Sequence, residues 1–171
     1  VAMKTMEKDL ESLPCTWKEY SAAANYALQQ KQYGQAFAWS EKAVSMAPNM
    51  TTMMAHSQVL KAKGDEQKAE KAKKEAIARG TNAELNNYGY QLLFGGKGEE
   101  ALEIFEANAE KNPEDPNVWD SLGEGYINTG HKEKAVKALK KSLSLDPPDN
   151  VRANSLRLLA QLGVEYEAPK P

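Results

Sequence analysis

The chain has 171 residues, of which 41% are hydrophobic and 27% charged, so it is one ordinary domain in length and can bury a sizeable core. A formal net charge of −2 gives no overall pull toward nucleic acid or an anionic membrane. No stretch approaches the roughly 18 consecutive apolar residues a membrane helix needs, and a single cysteine, Cys15, excludes an internal disulfide.

The start, Val1-Ala2-Met3-Lys4-Thr5-Met6, lacks the hydrophobic core of a signal peptide. A first residue that is not Met is read as a processed or trimmed product, with a signal or a further domain removed upstream. A leading helix is expected over about 2–13. Met3, Met6, Leu10 and Leu13 share one face, and Pro14 closes it. Residues 1–16 thus form a leading helix and turn.

From residue 17 the chain repeats. A helical stretch, a short turn, an alanine and a second helical stretch recur four times, with the alanines at Ala36, Ala69, Ala101 and Ala135. Their spacings are 33, 32 and 34 residues. The first repeat (17–49) carries Tyr20, Ala23-Ala24, Ala27, Tyr33, Ala36, Ala43 and Pro48. The second (50–81) keeps Met53, Leu60, Gly64, Ala69 and Ala76 but has no aromatic residue, and it ends in Gly80. The third (82–115) has Leu85, Tyr88-Gly89, Leu92, Gly96, Ala101, Phe105 and Pro113. The fourth (116–147) reads Trp119-x-x-Leu122-Gly123-x-x-Tyr126, then Gly130, Ala135, Leu139 and Pro147, with Ser142 where an alanine is usual.

Small residues such as Ala24, Gly89 and Gly123 let two helices approach closely. Large ones such as Trp119, Tyr126 and Phe105 fill the spaces between them. Replacing Trp119 or Tyr126 with alanine is therefore expected to cost roughly 3–5 kcal/mol as a core truncation. Gly64 and Gly130 suit left-handed turns inside a pair. A last helix of about 150–162, capped by Asp149 or Asn150, offers Val151, Leu156, Leu159 and Leu162 to cover the final pair. Residues 148–163 are read as a capping helix and 164–171 as a loose tail.

This pattern resembles the tetratricopeptide repeat, whose period is about 34 residues. The resemblance implies an all-α, right-handed α-α superhelix of about four helix pairs, with a leading helix and a C-terminal capping helix. Two stretches resemble longer relatives. Trp17 to Ala47 is similar to the helical tail of an uncharacterised family of exported bacterial proteins. Leu85 to Pro147 is similar to tetratricopeptide tails on exported bacterial hydrolases. That likeness implies a periplasmic or exported location, with the cytoplasm as the alternative.

The chemistry-bearing residues do not converge. His56 and His131 lie in different repeats and lack metal-ligand spacing. Cys15 reads as a small residue in a turn. Gly95-Gly96-Lys97-Gly98 lacks the preceding strand and following Ser or Thr of a phosphate loop. No catalytic residue, cofactor or metal is expected. Charge alternates along the second helices: net +3 over 61–79, −5 over 97–115 and +4 over 131–145. We read these helices as complementing one another rather than as docking strips for an anionic partner.

In the resembled family the first helix of each pair lines a concave groove. Its facing positions fall here on Asn25 and Gln29 (with Lys18 and Ser21), Met54 and Gln58, Asn86, Tyr90 and Phe94, and Asp120, Glu124 and Asn128 (with Asn117). Some members clamp a C-terminal carboxylate with cations at such places. Ser21, Met54, Asn86 and Asp120 stand there instead, so no such clamp is expected. The implied groove has an aromatic patch and an acidic end. The expected function is a non-catalytic scaffold binding a peptide or protein segment. The alternative is an accessory domain that supports a missing β-rich or hydrolase domain of the same protein. The expected partner is a protein or peptide, without nucleic acid or membrane insertion, on a monomer or weak homodimer.

Overall fold

The structure is a computed structural model that describes residues 2–166. The described residues form ten α-helices and no strand. They fall into two compact units, residues 1–80 and 81–171. Val1 and residues 167–171 of the expected tail lie outside the described residues.

The first unit holds α1 (Ala2–Ser12), α2 (Trp17–Gln29), α3 (Tyr33–Met46), α4 (Met50–Ala62) and α5 (Glu66–Arg79). The helices α2 and α3 pair, as do α4 and α5; α1 packs on α2. The second unit holds α6 (Asn82–Phe94), α7 (Gly98–Lys111), α8 (Pro116–Asn128), α9 (Lys132–Ser144) and α10 (Asp149–Gln161). Here α6 pairs with α7 and α8 with α9, while α10 packs on both α9 and α8.

Capping residues set where the first helix of each pair begins. Thr16, Asn49 and Thr81 each accept a backbone N–H near the helix start and close a reciprocal capping box with Glu19, Thr52 and Glu84. Asp115 caps α8, and Pro116 takes the first helical position, where its missing N–H costs nothing.

A left-handed residue ends each of these helices. Gly64, Gly96 and Gly130 have φ of 85°, 75° and 83°. Two backbone bonds close each turn, as in Asp65 N–H to Leu60 and His131 N–H to Tyr126, at 3.0 and 2.8 Å. Lys31 fills the same place after α2 at φ 58°, without glycine's freedom. Gly163, after α10, repeats it at φ 75°. The five turns stand at 31, 64, 96, 130 and 163, and each preceding helix has 13 residues. By register α10 is therefore a further first helix, as well as the cover over α9.

Close approach fixes the pairs. A Cβ on Gly89 would lie 2.4 Å from the Phe105 ring, and one on Gly123 would lie 2.6 Å from Leu139. Phe105 is held on its other edge by Gly125 of α8. Polar ties run through the same seams. Asn108, fully buried in α7, donates to the Asn82 carbonyl and side-chain oxygens at 3.2 and 3.0 Å. Ser142, at the matching place in α9, donates to the Pro116 carbonyl at 2.8 Å. Ser57 of α4 donates to the Ala69 carbonyl at 2.7 Å. Tyr126 is buried as expected, its hydroxyl donating to Glu106 at 2.6 Å. Trp119 is not: it is half-buried, and its indole N–H donates to the Pro113 carbonyl at 2.8 Å, tying down the turn before α8.

Candidate functional site

The expected groove residues are described unit by unit. In the first unit Asn25 and Gln29 are exposed on α2, and Gln58 is half-buried on α4. Met54 is buried and offers little surface to a ligand. It packs as a core residue because α4 is apolar at most positions, with eight of its side chains buried.

The second unit brings its candidates together. Tyr90 of α6 donates to Glu124 of α8 at 2.9 Å, across 34 residues of sequence. The Tyr90 ring stacks on Phe94, centroids 5.7 Å apart and planes 21° apart, and meets Phe105 edge-on at 5.2 Å. Phe94 is 80% exposed, the most exposed large apolar side chain among the described residues. Asn128 is exposed, and its side-chain amide donates to the Glu124 carbonyl at 2.9 Å.

Asp120 is buried rather than open to the groove. Its carboxylate accepts from Asn154 at 2.7 Å and from Ser155, both on α10. Asn86 is half-buried, with a side-chain oxygen that has no hydrogen-bond partner among the described residues.

Burial pushes the Tyr90 phenol well above its ordinary range, and Glu124 beside it works in the same direction against a hydrogen bond with Ser121. Tyr90 therefore stays a donor, with the Glu124 side chain as its acceptor. Burial also raises the Asp120 carboxyl, against the hydrogen bonds from Ser155 and Asn154. The Asp120 side chain thus ties α8 to α10.

The sequence reading left out Asn154 and Arg157 on α10. Arg157 donates to Asn154 at 2.7 Å and stands one repeat beyond Glu124, as Glu124 stands beyond Tyr90. The face thus runs Tyr90, Glu124, Arg157 in one row and Phe94, Asn128, Gln161 in the next. The turn glycine at Gly163 was the signal that could have placed α10 in this register.

Elsewhere, His56 is half-buried, with Nδ1 2.8 Å from Ser40 Oγ and its ring against Phe37. Burial lowers its pKa. Among the described residues no group of three or more His, Cys, Asp or Glu could hold a metal ion, and no helix is long and apolar enough to cross a membrane.

Residues 116–149 match the family model described as "Tetratricopeptide repeat". The chain carries a tetratricopeptide repeat. The matched segment is α8, α9 and the turn into α10, the pair with Gly123 against Leu139. The fold is an all-α array of tetratricopeptide-type helix pairs, and tetratricopeptide repeats serve as scaffolds that bind protein or peptide partners.

No curated protein sequence matches the chain significantly. Among solved structures, MamA is 20% identical, with 85% of this chain and 86% of that one covered and a TM-score of 0.45. YrrB, described as a tetratricopeptide protein with an unusual peptide-binding site, is 22% identical over 91% and 82%, with a TM-score of 0.46. Pseudomonas aeruginosa PilF is 23% identical over 85% and 68%, with a TM-score of 0.44.

Proposed function

We propose that the chain is a non-catalytic binding module, and that the first-helix face of its second unit, built by α6, α8 and α10, holds an extended segment of a partner protein. The supporting observation is Phe94, 80% exposed yet stacked on a Tyr90 whose hydroxyl is fixed by Glu124. An aromatic pair held in place by a carboxylate loses little freedom on binding, which favours affinity.

The chemistry indicates the segment. An apolar or aromatic side chain covers Phe94. A lysine or arginine meets the remaining oxygen of Glu124, with an electrostatic contribution that salt weakens. In the first unit, taken by itself, Asn25, Gln29 and Gln58 give the first helices α2 and α4 a polar face.

An enzyme is disfavoured by the way the titratable groups are used. Asp120 is sealed by Ser155 and Asn154, and Tyr90 and Glu124 satisfy each other. None is an open nucleophile beside a base. The test is peptide selection from a randomised display library against the intact chain. Selected sequences should pair a basic with an aromatic or aliphatic residue, and Phe94→Ala or Glu124→Gln should weaken their binding at least tenfold. Equal binding by both variants would refute the face.

A further inference from the structure

The helix α10 carries two arginines, and the fold uses them differently. Arg152 is neutralised in place: its guanidinium donates to the Asp146 carboxylate at 2.8 Å and to the Pro147 carbonyl at 3.2 Å. Arg157 is exposed, and its guanidinium donates to a neutral group, the side-chain oxygen of Asn154, at 2.7 Å.

Asn154 is itself held from behind. Its side-chain nitrogen donates to the buried Asp120 carboxylate of α8 at 2.7 Å. A guanidinium only donates, so the Asn154 oxygen faces Arg157 while the nitrogen faces Asp120. The seam between α8 and α10 is also closed by Ser155, which is fully buried and donates to the other Asp120 oxygen. Asn154, half-buried, carries that anchorage outward to the surface. An arginine already held loses less freedom on meeting a ligand than a free one does.

One helix earlier stands the opposite charge. Glu124 of α8 accepts from Tyr90 through one carboxylate oxygen. The first helices follow one another in the second unit, α6 packing on α8 and α8 on α10. Phe94, Glu124 and Arg157 therefore give the face an apolar, an acidic and a basic step in order.

We infer that Arg157, positioned by Asn154, recognises a carboxylate of the partner segment. This rests on the binding face proposed above and adds to it a partner of defined charge order. Packed helices lie about 8–10 Å apart, and an extended chain advances about 3.3 Å per residue. Each helix step thus spans about three residues of the segment. The segment reads apolar, basic, acidic at every third position, in that order or its reverse. The arginine fork suits a carboxylate because it offers two parallel N–H bonds. A segment with bases at both charged steps is repelled at Arg157, and one with acids at both is repelled at Glu124.

The probes are two fluorescein-labelled peptides with phenylalanine, arginine and glutamate at every third position of a serine background, one in each order. Anisotropy is followed against the intact chain, and one of the two is expected to bind saturably. Replacing its glutamate by glutamine should weaken it at least tenfold. Arg157→Glu, at an exposed position, should do the same without changing the thermal melt, and should turn the preference toward a peptide with lysine in that place. Asn154→Ala should shrink the preference for glutamate over glutamine severalfold, a ratio that a purely structural role would leave unmoved. Phe94→Ala should weaken every peptide. Binding that Phe94→Ala weakens, but that is indifferent to glutamine and to Arg157→Glu, overturns the inference and leaves the face standing. Absence of saturable binding by both peptides, or binding that neither Phe94→Ala nor Arg157→Glu affects, overturns the face as well. Self-association in sedimentation that Arg157→Glu abolishes would assign the face to a second copy and overturn the inference equally.

Discussion

Gly89 and Phe105 are two halves of one contact: the ring sits where any side chain at 89 would begin, 2.4 Å from an added Cβ. Alanine is the better helix former by about 1 kcal/mol, so helix propensity alone favours Gly89→Ala. Overpacking opposes it and wins, because Phe105 is buried and pinned from the other side by Gly125. We expect Gly89→Ala to lower stability by about 1–3 kcal/mol in urea denaturation. Adding Phe105→Leu should recover part of that loss, since the shorter side chain frees the space. An additive double mutant would show that the two residues do not meet.

Lys31 offers the opposite experiment. It holds a left-handed backbone where the later turns use glycine. A non-glycine residue there costs on the order of 1 kcal/mol. Lys31→Gly should therefore raise stability by up to about 1 kcal/mol, whereas Gly130→Ala should lower it by a similar amount. Calorimetric melting of the two variants checks both signs.

Asn108 and Ser142 differ in what their loss leaves behind. Asn108→Leu strands the buried end of Asn82 and should cost about 1–3 kcal/mol. Ser142→Ala places there the residue that the first two pairs use, Ala43 and Ala76, and should cost about 1 kcal/mol or less. Trp119→Ala should fall below the 3–5 kcal/mol of a core truncation, because the ring is half in solvent. Tyr126→Ala keeps that larger expectation.

His56 gives the protein a pH dependence of defined sign. Burial depresses its folded pKa below the unfolded value, so the unfolded chain binds the proton more readily. Stability from this residue is complete above the unfolded pKa, about 6.5. It is lost as pH falls through that value toward the lower folded one. Denaturation midpoints of the wild type and His56→Asn, compared between pH 7.5 and 5, should converge as the pH drops. A constant gap would show that His56 does not titrate differently on folding.

The helix pairs were legible because the signals are steric and local. Turn glycines, pair-ending prolines and the small residues at 89 and 123 recur in one register, and each has a single geometric use. What escaped were positions where a different residue does the same job. Lys31 takes a glycine's turn, Asn108 takes an alanine's seam by finding a hydrogen bond there, and α10 looked like a cover because no second helix follows it among the described residues. Missing that register hid Arg157 and Asn154. It also left Asp120 looking like a groove acid, although its burial depends on α10. The burial of Met54 was not legible because burial of a methionine depends on its neighbours, which one face of one helix does not report. The adjacency of Tyr90 and Glu124 was readable from their separation by one repeat.

The central claim is that the α6–α8–α10 face is the binding surface. Backbone amide chemical shifts of the intact chain, titrated with one display-selected peptide, test it most directly. The account predicts perturbations clustered at Tyr90, Phe94, Glu124, Asn128 and Arg157, with the exposed lysines of α9 unchanged. Perturbations centred on α7 and α9 instead, with Phe94 silent, would contradict it.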